Sequence, residues 1–336
     1  MDRKKLISIV VPAYNETECV DELGARLGKV FDGLPQYDFE AIIVENGSTD
    51  DTWDKLQALH ERDDRFKILQ LARNFHMDGG LTAGLAYVNG DAAILMTADL
   101  QDPPEVIPQF IAKWEEGYDH VHGILTARVG TGPIRKLNSN LFYLIAGKLT
   151  DGRIPRNVSD FRLIDRAIVD TINRMEERNR FMRGLFSWVG FKTAGVEHER
   201  EPRHAGESKA YTFGVLGFAV RGILAHSYIP LRIISGVGIA LSGISAVALV
   251  VLTLRFVLVG VPFPGFGTLI CVMILMFGLL FSILGVLAEY LGLIYEEVKQ
   301  RPNYVVRTEL GFNDEVYIDR RTGPAHPVAA AVLSRR

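Results

Sequence analysis

The sequence predicts an α/β protein: a Rossmann-like, mostly parallel sheet domain, then an amphipathic interface helix and a two-helix transmembrane hairpin. Three observations carry this. Over the first 125 residues short apolar runs alternate with amphipathic ones, the pattern of a βαβ series with both sheet faces covered. Ile233 to Leu254 contains no charged residue, and after Arg255 the chain is again uncharged from Phe256 to Ala288. A helix of roughly 20 apolar residues crosses a ~30 Å hydrocarbon core, and neither run has a polar face.

Taken in order, the apolar stretches place strands at 6–12, 39–45, 66–71, 92–97 and 119–125, and the amphipathic stretches place helices at 16–31, 50–61, 79–88 and 104–116. The pattern then becomes irregular. A helix at about 134–149 precedes a basic, polar region that runs to about residue 210, and 211–228, apolar with few charges, reads as a helix on the bilayer surface. The Pro- and Gly-rich "GVPFPGFG" (260–267) turns the chain between spans at about 233–254 and 268–288. The tail begins helical, becomes a strand after Pro302 and reads as disordered over 320–336. The expected division is 1–210 α/β sheet domain, 211–230 interface helix, 231–290 membrane hairpin and 291–336 tail.

The amino-terminal apolar run is too short for a signal peptide and passes directly into "PAYNE". Arg221 and Arg232 precede the first span and Lys299, Arg301 and Arg307 follow the second, so both ends are expected on the cytoplasmic side of a bacterial plasma membrane. A net charge of −3 argues against a nucleic-acid partner. Cys19 and Cys271 fall in different predicted environments, which implies neither a disulfide nor a metal-thiolate framework.

No G-x-G-x-x-G or Walker loop follows the first strand, so the two commonest nucleotide motifs are absent there. The fourth strand empties instead into "TADLQDPPE", whose acids Asp99 and Asp102 stand where an open α/β sheet binds ligands. Asp102 also has a second reading, as the residue opening the helix at Pro103 or Pro104. The histidines of "HVH" (120–122) and "HEREPRH" (198–204) lack zinc-site helical spacing and read as structural or surface residues.

The segments "SIVVPAYNE", "ENGSTDDT", "ADLQDPPE", "SDFRLIDR" and "RFMRGLFSWVGF", in this order and followed by two spans, resemble the polyprenyl-phosphate glycosyltransferases of the GT-A fold. These are relatives of dolichol-phosphate mannose synthase and of bacterial enzymes that load glucose onto undecaprenyl phosphate. The resemblance covers about residues 6–310. It implies inverting transfer of a hexose from a nucleotide diphosphate sugar, UDP-glucose-like or alternatively GDP-mannose or another sugar donor, to a polyprenyl phosphate, in a homo-oligomer, a tetramer by resemblance.

It further implies roles for residues. Pro12, Ala13, Tyr14, Glu16, Asn46 and Ala98 would bind the nucleotide, Glu16 through a ribose hydroxyl and Asn46 through the base edge. Asp99, with Gln101, would ligate Mg²⁺ or Mn²⁺. Asp160 is the implied catalytic carboxylate that orients or activates the acceptor. Arg128, Arg162, Arg203, Ser208 and Lys209 would hold diphosphate and lipid phosphate, the last three as an Arg-x-x-Gly-x-Ser-Lys element. The sequence departs from the family twice: Asn46 stands where an Asp usually precedes Gly-Ser, and Thr97 where the first acid of Asp-Ala-Asp is expected.

Two rival classes remain. A processive polysaccharide synthase would carry a Gln-x-x-Arg-Trp element, but Trp53, Trp114 and Trp188 do not follow Gln-x-x-Arg. A weakly active membrane-anchored binding protein is favoured by Asn46 and Thr97 and opposed by Asp99, Asp160 and the Gly-Glu-Ser-Lys segment.

Overall fold

The computed structural model describes residues 3–126, 158–202 and 266–312, with isolated helical positions between 236 and 258. The chain divides into two compact units, Met1–Val215 with Gln300–Arg336, and Leu216–Lys299.

In the first unit, β1 (Lys5–Ala13), α1 (Val20–Gly33), β2 (Tyr37–Glu45), α2 (Thr52–Arg62), β3 (Phe66–Leu71), α3 (His76–Ala86) and β4 (Ala92–Leu95) form the alternating series. A 3-10 turn (Pro104–Val106), α4 (Ile107–Glu115) and β5 (His120–Leu125) follow. After the break come β6 (Val158–Asp165), α5 (Arg166–Asn173), α6 (Met182–Trp188), β7 (Thr193–His198) and, from the tail, β8 (Val306–Leu310). The described strands form one sheet in the order β7-β5-β6-β4-β1-β2-β3-β8.

Period-two alternation sends Ile7, Ile9 and Val11 of β1 to one face, against Leu23, Leu27 and Phe31 of α1 and Phe110 of α4. Val10 faces the other side with Ile42 and Val44, against Leu81 and Leu85 of α3 and Ile168 and Ile172 of α5. Both faces are covered, which explains why β1 and β2 read as continuous apolar runs. The glycines of α3 permit the closest approach: a Cβ on Gly84 would stand 2.3 Å from Val10 Cγ1. The helix therefore lies directly on the sheet.

The series is parallel from β3 through β2 and β1 to β4, as expected. The next neighbour corrects the expectation. β5 does not continue the parallel order; β6 lies between it and β4, antiparallel to both, while β5 pairs parallel with β7. The cause is long-range pairing: β6 comes from the region whose pattern looked irregular, and local periodicity says nothing about which edge such a strand will join. The expected tail strand is present as β8, antiparallel to β3.

In the second unit, α7 (Phe266–Lys299) has 34 residues, about 50 Å at ~1.5 Å per residue. Its stretch Met276–Lys299 is long and apolar enough to cross a membrane by length and composition. Phe277, Leu280, Phe281, Leu284 and Leu291 are exposed along it. The helix passes the predicted end at 288 because nothing in "EYLGLIYEEVK" breaks it; Gln300, at φ 49°, ends it in the left-handed region. Of the other expected span, Gly236, Ala240, Gly243, Val247, Val250, Val251 and Leu254 are helical and exposed, and the remainder lies outside the described residues. Among the described residues one helix, not the two of the expected hairpin, is long enough to span. The expected helices at 134–149 and 211–228 and the tail 320–336 also lie outside them.

Candidate active site

The register of the central strands brings three chain exits to one edge. Ala13 of β1 pairs with Glu45 of β2, and Val10 with Leu95 of β4, so the loops after all three strands leave together. The first two are laced: the Asn15 backbone N–H donates to Ser48 Oγ at 3.0 Å, and Asn15 Oδ1 accepts from the Thr49 N–H at 2.8 Å. The Glu16 N–H donates to Thr52 Oγ1 at 2.9 Å. Asn15 adopts φ 52°, a turn conformation Asn tolerates. Gly47, at φ 69°, is required for a second reason, since a Cβ there would lie 2.5 Å from the Arg73 carbonyl carbon.

Pro12 and Ala13 end β1, with Tyr14 and Glu16 half-buried in the loop beyond. Asn46 is buried, and its carboxamide bridges a third loop: Nδ2 donates to the His76 carbonyl at 2.8 Å and Oδ1 accepts from the Phe75 N–H at 2.9 Å. The expected base-edge residue is thus tied to backbone. An Asp could accept from Phe75 but could not donate to His76, which accounts for the amide at this departure.

At the exit of β4, Ala98 is buried and Asp99 is 7% exposed. The Thr97 hydroxyl donates to Asp99 Oδ1 at 2.7 Å, and the Gln101 N–H approaches the same oxygen at 3.4 Å. Leu100 between them has φ 56° and is buried. A buried branched side chain in the left-handed region is strained backbone, held because Leu100 packs in the core while the chain reverses around the acid. Thr97 is therefore not a bystander: it orients the carboxylate.

Asp102 neither caps the following helix nor faces a ligand. It is 0% exposed, and its oxygens accept from Ser159 Oγ (2.9 Å), His198 Nε2 (2.9 Å), Arg200 Nη2 (2.9 Å) and Arg200 Nε (3.3 Å). Burial would raise its pKa, but the His198 and Arg200 donors prevail and hold it below the ordinary carboxylate value. The bond to Ser159 stitches the Asp99 turn to the start of β6, and with it to Asp160.

Asp160 alternates with Ser159, so it projects to the other sheet face, where Arg183 of α6 grips it through Nε at 2.6 Å and through Nη2. Burial opposes ionisation, and the Arg183 charge outweighs it, so Asp160 titrates below its usual range. Arg162 is 4% exposed; its guanidinium donates to the backbone carbonyls of Ser159 (3.0 Å) and Asp160 (3.3 Å) and lies 4.6 Å from the Phe186 ring centre. Burial lowers it to about 10. The structure thus places Arg162 beneath Asp160 and leaves Arg183 as the exposed cation.

Sequence reasoning missed three participants. Asp78, in the first turn of α3, accepts from the Met182 N–H at 3.2 Å and so ties the start of α6, which carries Arg183; burial, with the nearby Asp160 charge, pushes it up to about 6. Arg200 and His198 converge on Asp102. No local spacing links these residues to the acids, since each partner comes from a distant strand or helix. His120 and His122, beside Arg162, are lowered to about 2 and about 4 by burial and by that charge. Arg128, Arg203, Ser208 and Lys209 lie outside the described residues.

In a mostly parallel sheet, acids at the carboxyl edge stand where open α/β folds bind their ligands. The Glycosyl transferase family 2 model matches residues 8–172. The chain is 40% identical over 300 residues to an uncharacterized glycosyltransferase of Synechocystis sp., covering 89% of this chain and 94% of that one. It is 36% identical over 301 residues to a prophage bactoprenol glucosyl transferase homolog of Escherichia coli (90% and 98%) and to the bactoprenol glucosyl transferase of Shigella phage SfII (90% and 97%). A glucosyl-3-phosphoglycerate synthase from Mycobacterium tuberculosis, solved with Mn²⁺, UDP and phosphoglyceric acid, aligns with TM-score 0.48 and 19% identity over 66% of this chain and 77% of that one. The chain belongs to glycosyl transferase family 2, and is a glycosyltransferase.

Proposed function

We propose that this enzyme transfers a hexose from a nucleotide diphosphate sugar, UDP-glucose by preference, to a polyprenyl phosphate, with inversion at the anomeric carbon. The observation that carries the reading is the joining of Asp99 and Asp160 at one sheet edge through the Asp102–Ser159 bond. The acceptor is supported by bactoprenol glucosyl transferases similar to this chain over nine-tenths of its length. The lacing of the β1 and β2 loops supports a nucleotide seat formed by Pro12, Ala13, Tyr14, Glu16 and Ala98, with Asn46 fixing the adjoining loop.

Asp99 and Gln101 are the residues that would hold Mg²⁺ or Mn²⁺. Oxygen donors fit either ion, and one carboxylate with substrate phosphates and water is an ordinary Mg²⁺ set. No group of three or more His, Cys, Asp or Glu residues converges among the described residues, so those residues supply only part of such a shell. When bound, the ion supplies Lewis-acid stabilisation of charge on the departing diphosphate. Thr97 aims Asp99 at that position.

The acceptor phosphate, with a second pKa near ~6, is mostly dianionic at neutral pH and requires orientation more than deprotonation. Arg183 offers it an exposed guanidinium, and Asp160 fixes that guanidinium and sets the angle of approach. A phosphate oxygen attacks the anomeric carbon opposite the leaving diphosphate, which gives inversion. Arg203, Ser208 and Lys209 complete this proposal as the lipid-phosphate clamp, with Arg128 beside the diphosphate.

The setting proposed is a bacterial plasma membrane, with the catalytic unit cytoplasmic and the protein a homo-oligomer. Support comes from the apolar stretch of α7, from the second charge-free run at 233–254 and from the flanking basic residues. The test uses purified full-length protein with undecaprenyl phosphate, Mg²⁺ and a panel of nucleotide sugars. A lipid-linked hexose formed faster from UDP-glucose than from GDP-mannose, and suppressed by chelator, is expected. No lipid product with any donor would overturn the acceptor, and a product indifferent to chelator would remove the metal.

A further inference from the structure

We propose that Arg200 grips the diphosphate of the nucleotide sugar, and that the buried Asp102, with Ser159 and His198, aims it. The proposal rests on the donor reading above. A carboxylate withdrawn fully from water needs dense hydrogen bonding or a paired charge. Asp102 has both, and Arg200 supplies two of its four donors as a bidentate fork through Nε and Nη2. The fork fixes the guanidinium plane, while Nη1 carries no hydrogen bond among the described residues and the side chain remains 35% exposed.

Where that open edge lies follows from the backbone. The Glu201 N–H donates to the Gln101 carbonyl at 2.9 Å, and Arg26 holds Glu201 and Glu105 together, so the segment after β7 runs along the Asp99–Gln101 turn. The guanidinium is thereby set beside the turn at which the diphosphate would arrive. Burial would lower Arg200, but the Asp102 fork, with the Asp99 and Asp160 charges, keeps it raised and therefore cationic. A second feature makes the edge receptive to anions. Thr97 stands where the family's Asp-Ala-Asp would put a further negative charge, so the turn carries one acid fewer beside the fixed cation.

An arginine with one planar face committed to a carboxylate and the other open matches the geometry of a phosphate oxygen pair. The same chemistry fits the acceptor phosphate, and the assay separates the two. UDP, UMP, uridine and inorganic pyrophosphate are titrated calorimetrically into full-length wild type and into Arg200→Lys, Arg200→Gln and the double variant Arg200→Gln/Asp102→Asn. The double variant removes the unpaired buried acid, and thermal melting identifies the variants that fold.

Folded variants are expected to bind UDP roughly 10- to 100-fold more weakly, the scale of losing a charge-assisted hydrogen bond, with uridine affinity unchanged. In turnover, the donor KM should rise with the acceptor KM constant. UDP affinity equal to wild type in any folded variant would overturn the proposal, as would a rise in acceptor KM alone. Failure of wild type to bind any of the probes would instead overturn the donor reading itself, so the two failures are distinguishable.

Discussion

Asp99 and Asp102 leave the same strand, stand on the same turn and are both nearly sealed from water, yet they are held by different kinds of partner. Asp102 is enclosed by Ser159, His198 and Arg200, two of them cationic or able to become so. Asp99 Oδ1 receives a neutral hydroxyl from Thr97 and a long contact from the Gln101 N–H. The first arrangement consumes the carboxylate's charge within the protein. The second orients the carboxylate through a neutral hydroxyl and a backbone N–H. The difference teaches that the partners of a buried acid, not its position in a motif, determine how it is held.

The largest separation comes from truncating Asp102. Asp102→Ala leaves Arg200 and His198 facing an empty pocket, and should lower stability by about 3–5 kcal/mol; urea unfolding of the full-length protein measures it. Asp99→Asn should leave stability near wild type but reduce metal-dependent transfer by roughly 10²- to 10³-fold, the scale of losing one preorganised electrostatic contact. Single-turnover assays across metal concentrations check this. An unstable Asp99→Asn and a stable Asp102→Ala would invert the assignment.

Asp78 sharpens the same contrast from a third position. Its pKa is raised from 3.8 to about 6, so the fold prefers the neutral acid. The favourable contribution is complete below about pH 4, is lost as pH rises to about 6, and is absent above. Asp78→Asn can still accept from the Met182 N–H. It should match wild-type stability at pH 4 and exceed it at pH 8 by up to about 3 kcal/mol. Chemical denaturation at the two pH values tests the sign.

Arg183→Gln removes the charge that holds Asp160 low, so the Asp160 pKa should rise. The acid limb of the kcat/KM profile should move to higher pH, and an unmoved limb would separate Asp160 from that ionisation. The smallest effect belongs to Thr97→Val, which removes one neutral hydrogen bond worth about 0.5–1.5 kcal/mol. It should weaken activation by metal about two- to tenfold while Asp99 remains.

The βαβ half of the fold was legible because every strand there is covered on both faces and every helix on one, which writes period and composition into adjacent residues. The β6 insertion was not legible, since "NVSDFRLIDR" offers a strand but not its neighbours. The acids Asp99 and Asp160 could be named from motif order. Their partners could not: Arg183 was one of many basic residues, Arg200 one of a basic cluster, and Asp78 an unremarked acid at a helix start.

By itself, then, the sequence determined the alternating sheet domain and the apolar runs and named two candidate site acids, because burial and motif chemistry act over a few neighbouring positions. Tertiary structure decided that Asp102 serves Arg200, that Asn46 binds backbone and that Asp160 lies against Arg183. A hydrogen bond or ion pair between residues 23 to 98 positions apart leaves no periodic trace in the chain. It exists only when the sheet has ordered its strands.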